Sequence, residues 1–368
     1  MIIVPAFILV SCAGGSANHS NVTGDTVVFK YASLLEMVDY ENYIVAKVAD
    51  PWHKGKTLHT YVLLKQGIEE PASLPEGTVV RVPVTRAIPF TTVHSSLIMA
   101  LGRQSSIVGV ADLRYIKIPY VKRECAAGRI SDVGGAMSPN IEKILDSRPD
   151  VLLVSPFENS GGYGKLDEIG VPMIECAEYM EPSALGRAEW TRFYGILFGA
   201  ERQADSLFAV VDSTYHALKT VAATTTVRVT AAMDKMTGAV WYVPGGKSTL
   251  GTMISDAGIS YPLSDDTHAG SLSLPFETVL EKFGDADIWM FRYRGEHPAT
   301  YEALLSEHRG YAQFKAFRQQ RCYGCNVEKS SFYEETPFRP DLLLGDYIRI
   351  AHPELGLPGE LRYFEKVK

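Results

Sequence analysis

The stretch from Pro182 to Lys219, PSALGRAEWTRFYGILFGAERQADSLFAVVDSTYHALK, constrains the fold more than any other part of the sequence. Phe193, Ile196, Leu197, Ala200, Ala204, Leu207, Phe208, Val211, Tyr215 and Leu218 recur at steps of three and four, which places them on one helical face. Glu201, Arg202, Asp205, Asp212 and His216 occupy the other face, and Pro182 suits a first turn because its missing N–H needs no partner there. The pattern predicts one long helix, weakened or kinked at Gly199. At 1.5 Å per residue it would span roughly 50 Å, more than one α/β layer needs. Strand and helix signals repeat on both sides of it. The expected fold is therefore two α/β lobes with mainly parallel sheets, joined by this helix and separated by a ligand cleft.

Length and charge agree with that division. A chain of 368 residues is too long for one core. Its 43 acidic and 36 basic residues give a net charge of −7, with no basic run and with aromatics scattered rather than interleaved with lysines. A nucleic-acid partner is excluded on that basis.

Met1 to Val10, MIIVPAFILV, is apolar and uncharged, too short to span a bilayer but adequate as the core of a signal peptide. Leu9-Val10-Ser11-Cys12 then resembles a bacterial lipobox, although no Lys or Arg precedes the apolar run. Residues 1–11 read as a leader, Cys12 as the lipidated N-terminus, and 12–24 as a flexible tether. The lobes are expected at 25–181 and 220–368, with 182–219 linking them. Cys322-Tyr-Gly-Cys325 could be a redox pair, half a zinc site or two unpaired residues at a turn. Without a second pair or nearby histidines, the inert reading is preferred.

Thr26 to Leu64 holds short β-rich runs that decorate the first lobe. After the loop Ala72–Gly77, the pattern alternates. Strands are expected at Val79–Val84, Ser106–Val110, Val151–Val154 and Pro172–Cys176, and helices at Thr92–Leu101, up to Ser147, and at Lys165–Ile169. Beyond the linking stretch come strands at Val227–Met233, Ala239–Val243, Ile259–Tyr261 and Ile288–Phe291. Helices are expected at Thr249–Ala257, Pro275–Phe283, Tyr301–Ser306, Tyr311–Phe317 and Arg339–His352, with Arg321-Cys322-Tyr323 as an edge strand.

DVGGAMSPNIEKILDSRPDVLLV, from Asp132 to Val154, resembles the class III substrate-binding proteins of ABC importers, those for iron–siderophore complexes, haem and cobalamin. WYVPGGKSTLGTMISDAGISYPL, SLPFETVLEKFGDADIWMF and RPDLLLGDYIRIAHPEL add to the resemblance, which covers about Val79 to Leu355. It implies capture of a metal chelate and delivery to a permease and its ATPase, by a monomer in the periplasm or cell envelope, anchored through lipid and needing no cofactor. It also implies that Glu142 in PNIEKIL and Glu277 in PFETVLE dock on permease arginines. A carboxylate is favoured in any helix's first turn, so each alone would carry little. Their equivalent placement on both lobes favours docking.

Loops after strand ends supply the ligand candidates. These are Arg114, Tyr115, Phe157, Tyr163 and Tyr179 in the first lobe and Trp241, Tyr242, His268, Arg292 and Tyr293 in the second. Aromatic walls with a few cations suit a large planar or carboxylate-bearing chelate. A zinc or manganese binder of the related class is the alternative, with His94, His268 and Asp266 as ligands. The preferred reading has no protein metal site. An exported enzyme is less favoured still. Gly245-Gly246-Lys247-Ser248-Thr249 lacks the leading glycine of a phosphate loop, since position 241 is Trp241, and neither HExxH nor GxSxG occurs.

Overall fold

The computed structural model describes residues 24–71, 73–158 and 162–368. The expected leader, Cys12 and nearly all of the tether lie outside them.

The strands near the N-terminus form one five-stranded sheet, Asp25–Val27, Leu35–Asp39, Tyr43–Ala49, Thr57–Lys65 and Thr78–Val82, paired in that order. All pairs are antiparallel except the last. The sheet that positions the site is smaller and parallel: Met173–Glu175, Val151–Val154 and Ala87–Pro89, with Val151–Val154 central and buried at all positions. A continuous Val/Leu run is what a strand covered on both faces requires. Thr92–Ala100 follows Ala87–Pro89, with the Thr91 hydroxyl accepting from the His94 N–H at its start. Pro119–Ala126 is a helix that the sequence pattern did not mark. The expected helix at Lys165–Ile169 is a 3-10 turn, Gly164–Glu168.

The C-terminal sheet runs Ile259–Ser260, Val229–Met233, Ile288–Tyr293 and Cys322–Asn326 in parallel, and then Glu365–Lys366 antiparallel. The strand of Cys322 is thus interior rather than an edge, because the last residues of the chain pair outside it. Cys322 and Cys325 are free and buried. Three positions apart on a strand, they leave on opposite faces, and burial pushes their thiols up to about 12 and about 11.

The linking stretch is helical, but in three pieces: Ala184–Glu189, Thr191–Leu197 and Glu201–Ala222. The expected single helix is broken at Phe198–Ala200, where Gly199 takes φ 61°. A side chain there would set its Cβ 2.8 Å from the Pro83 Cβ. The pieces pack alternately. Ala184, Leu185 and Ala188 join the C-terminal core, Trp190 to Ala204 join the N-terminal core, and Phe208, Val211 and Tyr215 return to the C-terminal one.

Two buried carboxylates lock this arrangement. Glu189 accepts from the N–H groups of Lys30, Tyr31 and Ala32 at 2.8, 2.7 and 2.8 Å. Glu181 accepts from Ser33 and Leu34, each at 2.9 Å, and from Trp190 Nε1 at 2.8 Å. Replacing Gly199 with Ala is expected to cost about 1–3 kcal/mol, for a positive φ and a backbone forced off Pro83. A lower denaturant midpoint at unchanged slope would show it; an unchanged midpoint would mean that the break tolerates a side chain.

Candidate functional site

The three parallel strands of the N-terminal sheet end on one edge and deliver their following residues to one place. Ala87–Pro89 leads to Phe90 and Thr91, Val151–Val154 to Ser155, Pro156 and Phe157, and Met173–Glu175 to Glu178 and Tyr179. These residues, with Met137, Tyr163 and Arg187, line a cavity of about 670 Å³. The carboxyl edge of a parallel sheet is where α/β folds hold ligands, and the volume lies within the usual range for small-molecule sites. The wall is mostly apolar and aromatic, and Met137 is 86% exposed beside it. Gly162 has φ 101°, and a Cβ there would stand 2.9 Å from the Asp167 carboxylate, which accepts from the Tyr163 N–H at 2.7 Å. This fixes the descent of the loop into the cavity.

The C-terminal sheet repeats the device. Val229–Met233 leads to Asp234 and Lys235, Ile288–Tyr293 to Arg294, and Cys322–Asn326 to Val327, all of which line a second cavity of about 430 Å³. The two cavities approach each other at the contact between lobes. Thr91 lines the first, its neighbour Thr92 donates to Glu334 at 3.4 Å, and the next residue back, Tyr333, lines the second. Arg114 and Arg294 flank the Tyr115 ring at 4.5 and 5.9 Å, and Lys117 donates to the Val327 carbonyl.

Of the ten expected ligand residues, Phe157, Tyr163 and Tyr179 line the first cavity, and Tyr242, Arg292 and Tyr293 the second. Arg114 and Tyr115 are exposed at the contact between lobes and line neither. Trp241 is a correction. It is 0% exposed and donates Nε1–H to the Met233 carbonyl at 2.8 Å, packed among Trp289, Tyr311 and Phe314. Adjacent strand residues face opposite ways, so Tyr242 points out only because Trp241 points in. His268 is also a correction, since it lines neither cavity and lies in an exposed loop with Nδ1 on Asp266 at 3.0 Å. The proposed zinc or manganese set fails with it, because His94 finds its partners within the N-terminal lobe. Arg292 is held by both oxygens of Asp234, at 2.8 and 2.6 Å. Burial opposes its charge, but Asp234 raises its pKa above the ordinary arginine value, so it adds no free cation to the second cavity.

Arg187 is the residue that sequence reading missed. Its Nε is buried with no partner, and its guanidinium makes no hydrogen bond or ion pair among the described residues. Burial lowers its pKa from the ordinary value, against the attraction of Glu178. Its place in the first turns of a stretch read as a strut concealed it. Beside it, His94 Nε2 lies 3.1 Å from Glu178 Oε1, with both residues fully buried. Burial would lower the His94 pKa, yet the Cys176 thiol and the Glu178 carboxylate raise it to about 10.

A family model described as periplasmic binding protein matches residues 91–327. The chain belongs to the periplasmic binding protein family. An uncharacterized lipoprotein of Methanocaldococcus jannaschii is 25% identical over 93% of this chain and 86% of its own length, and a second from the same organism is 26% identical over 93% and 87%. A periplasmic haem-binding protein from Pseudomonas aeruginosa has the same fold at TM-score 0.60 and 17% identity, covering 77% of this chain and 98% of that one. An Fe3+-hydroxamate transport protein from Saccharomonospora viridis gives 0.55 and 21%, covering 73% and 92%. The resemblance to class III binding proteins thus holds. By family this is a binding protein rather than an enzyme. The match begins after the five-stranded sheet, which lies outside it.

Proposed function

We propose that this binding protein captures a metal chelate bearing an acidic group, an iron–siderophore or haem in preference to cobalamin, and delivers it to an ABC permease. The observation that carries the reading is Arg187. An unpartnered guanidinium in a mostly apolar cavity calls for an anionic partner, and the aromatic walls suit a planar or bulky body around it. The hydroxyls of Tyr163 and Tyr179 are already engaged, donating to Glu175 at 2.9 Å and to the Pro156 carbonyl. An axial tyrosine would have to leave such a partner. The lobes are taken as 25–181 and 220–368 with 182–219 between them, and the protein acts as a monomer. No helix of the described residues is long and apolar enough to cross a membrane. The named relatives are lipoproteins, which supports attachment through Cys12.

Titration of the purified protein with haemin, ferric siderophores and cobalamin, followed by absorbance, tests the ligand class. Arg187→Met is expected to weaken the best ligand by about 1.5–3 kcal/mol, roughly ten- to a hundredfold in Kd. Equal binding by both proteins would remove Arg187 from the site.

Glu142 and Glu277 both lie in the first turns of helices, Ile141–Asp146 and Phe276–Phe283, and both are exposed. Neither carboxylate meets a cation or donor among the described residues, which leaves them available to a permease. Reversing both to Lys should leave ligand affinity unchanged and abolish stimulation of the transporter's ATPase, since like-charge contacts at an interface cost several kcal/mol. Lost ligand affinity with intact stimulation would move them to the cleft. Cys12→Ala is expected to shift the protein from the membrane to the soluble fraction of cells; unchanged sedimentation with membranes would rule out the lipid anchor.

A further inference from the structure

At the wall of the first cavity, which His94 and Glu178 line and Cys176 backs, lies a group of side chains that the proposed ligand capture does not use. His94, Cys176 and Glu178 each offer one donor atom, all within 4.8 Å of one another, and all three residues are buried. They come from three successive steps of the fold: the helix after Ala87–Pro89, the end of Met173–Glu175 and the turn that follows it. Burial of a histidine, a thiol and a carboxylate together is costly unless they share a task. We propose that these three residues hold one divalent cation of zinc's class, with a fourth position open to the cavity.

The donor set fits such an ion, because imidazole, thiolate and carboxylate are the ligands that zinc takes. Tetrahedral coordination at the usual bond lengths needs donors about 3.3–3.6 Å apart. His94 Nε2 and Glu178 Oε1 stand at 3.1 Å already, and the sulfur needs to close by little more than about 1 Å. The outer contacts orient the donors. Thr91 Oγ1 lies 2.6 Å from His94 Nδ1, so it can accept Nδ1–H and leave the Nε2 lone pair for the ion. Tyr194 donates to Glu178 Oε2 at 3.1 Å, which leaves Oε1 free to coordinate. His94 and Glu178 both line the cavity, which provides the path of entry.

Loading balances without any redox step. The ion gains bonds to Nε2, Sγ and Oε1, while the thiol proton of Cys176 and the proton shared between His94 and Glu178 leave to solvent. Only three protein ligands are present, so the fourth position takes water or a donor atom of whatever fills the cavity. The site stands independently of the chelate reading, because its residues belong to one lobe and need no cargo.

Cobalt(II) tests the proposal, since it takes zinc sites and reports a thiolate ligand by a charge-transfer band. The full chain, reduced and free of cargo, is titrated with Co2+, both in its native state and during refolding from urea, and its five cysteines are replaced by serine one at a time. One equivalent of tetrahedral cobalt is expected, with a band that Zn2+ bleaches and that only Cys176→Ser removes. Thr91→Val should keep the band while weakening affinity about ten- to a hundredfold. The proposal is overturned if neither protocol gives a thiolate band, or if the band survives Cys176→Ser or vanishes with another cysteine. Should Cys176→Ser lose its near-ultraviolet circular dichroism, Glu178→Gln replaces it, and retention of full cobalt affinity by that folded variant is equally fatal.

Discussion

The arrangement of the two lobes depends on two carboxylates that have left water. Glu181 and Glu189 lie at 2% and 1% exposure and together accept from five consecutive backbone N–H groups, Lys30 to Leu34. A buried carboxylate is tolerable only when its oxygens are satisfied, and charge-assisted bonds to backbone amides do this without a cation at the same place. Arg192 stands beside Glu189 at 3.6 Å as a secondary partner. The consequence is structural. The segment between the first two strands cannot pair in a sheet, because its amides are spent on the linking stretch. Tyr31 instead packs against the C-terminal core and its hydroxyl donates to Asp212 at 2.6 Å. The sheet that precedes the matched family region is thereby tied to both lobes rather than appended to one.

From that frame the site follows by topology. Each lobe has a parallel sheet, each sheet has one edge at which all carboxyl ends emerge, and both edges carry a cavity. Their chemistry differs. The N-terminal cavity is the larger and more apolar of the two and holds Arg187, which has no partner among the described residues. In the C-terminal one, Arg292 is neutralised by Asp234, and Lys235 by Glu307. The proposed acidic ligand would meet Arg187 on the first lobe, while the second presents Tyr242 with a half-exposed ring and Arg294.

Most of the alternation of strands and helices was legible in the sequence because it rests on periodicity, which is local, though Pro119–Ala126 went unmarked and the linking stretch is three helices rather than one. So was the use of strand-end loops, which brought Phe157, Tyr163, Tyr179, Tyr242, Arg292 and Tyr293 to the cavities. What could not be read depended on contacts between distant residues. The phase of Val240–Pro244, which buries Trp241 and exposes Tyr242, is set by packing on Trp289 and Phe314. Gly199 was legible as a weak point, but a full break follows from the approach of Pro83. The alternative metal set partnered His94 with His268 and Asp266, whereas its neighbours are Cys176 and Glu178, which reach it through the pairing of Met173–Glu175 with Val151–Val154.

The break at Gly199 does not make the linker a hinge. Val84 N–H donates to the Leu197 carbonyl at 2.8 Å, Ala200 N–H to the Gly195 carbonyl at 2.7 Å, and Arg103 to the Gly199 carbonyl, so the interruption is held within the N-terminal core. The chain passes between cores twice, and neither crossing is at the break. One lies at Trp190, the single turn residue between Ala184–Glu189 and Thr191–Leu197, and the other between Ala204 and Phe208, inside the unbroken helix Glu201–Ala222. Hinges form where a few loop residues can absorb large changes of φ and ψ. Here the second crossing runs through hydrogen-bonded helix and the first is one residue whose N–H and carbonyl bond to Arg187 and Tyr194 on either side, so closing the cleft would bend the long helix and strain the amides on Glu181 and Glu189.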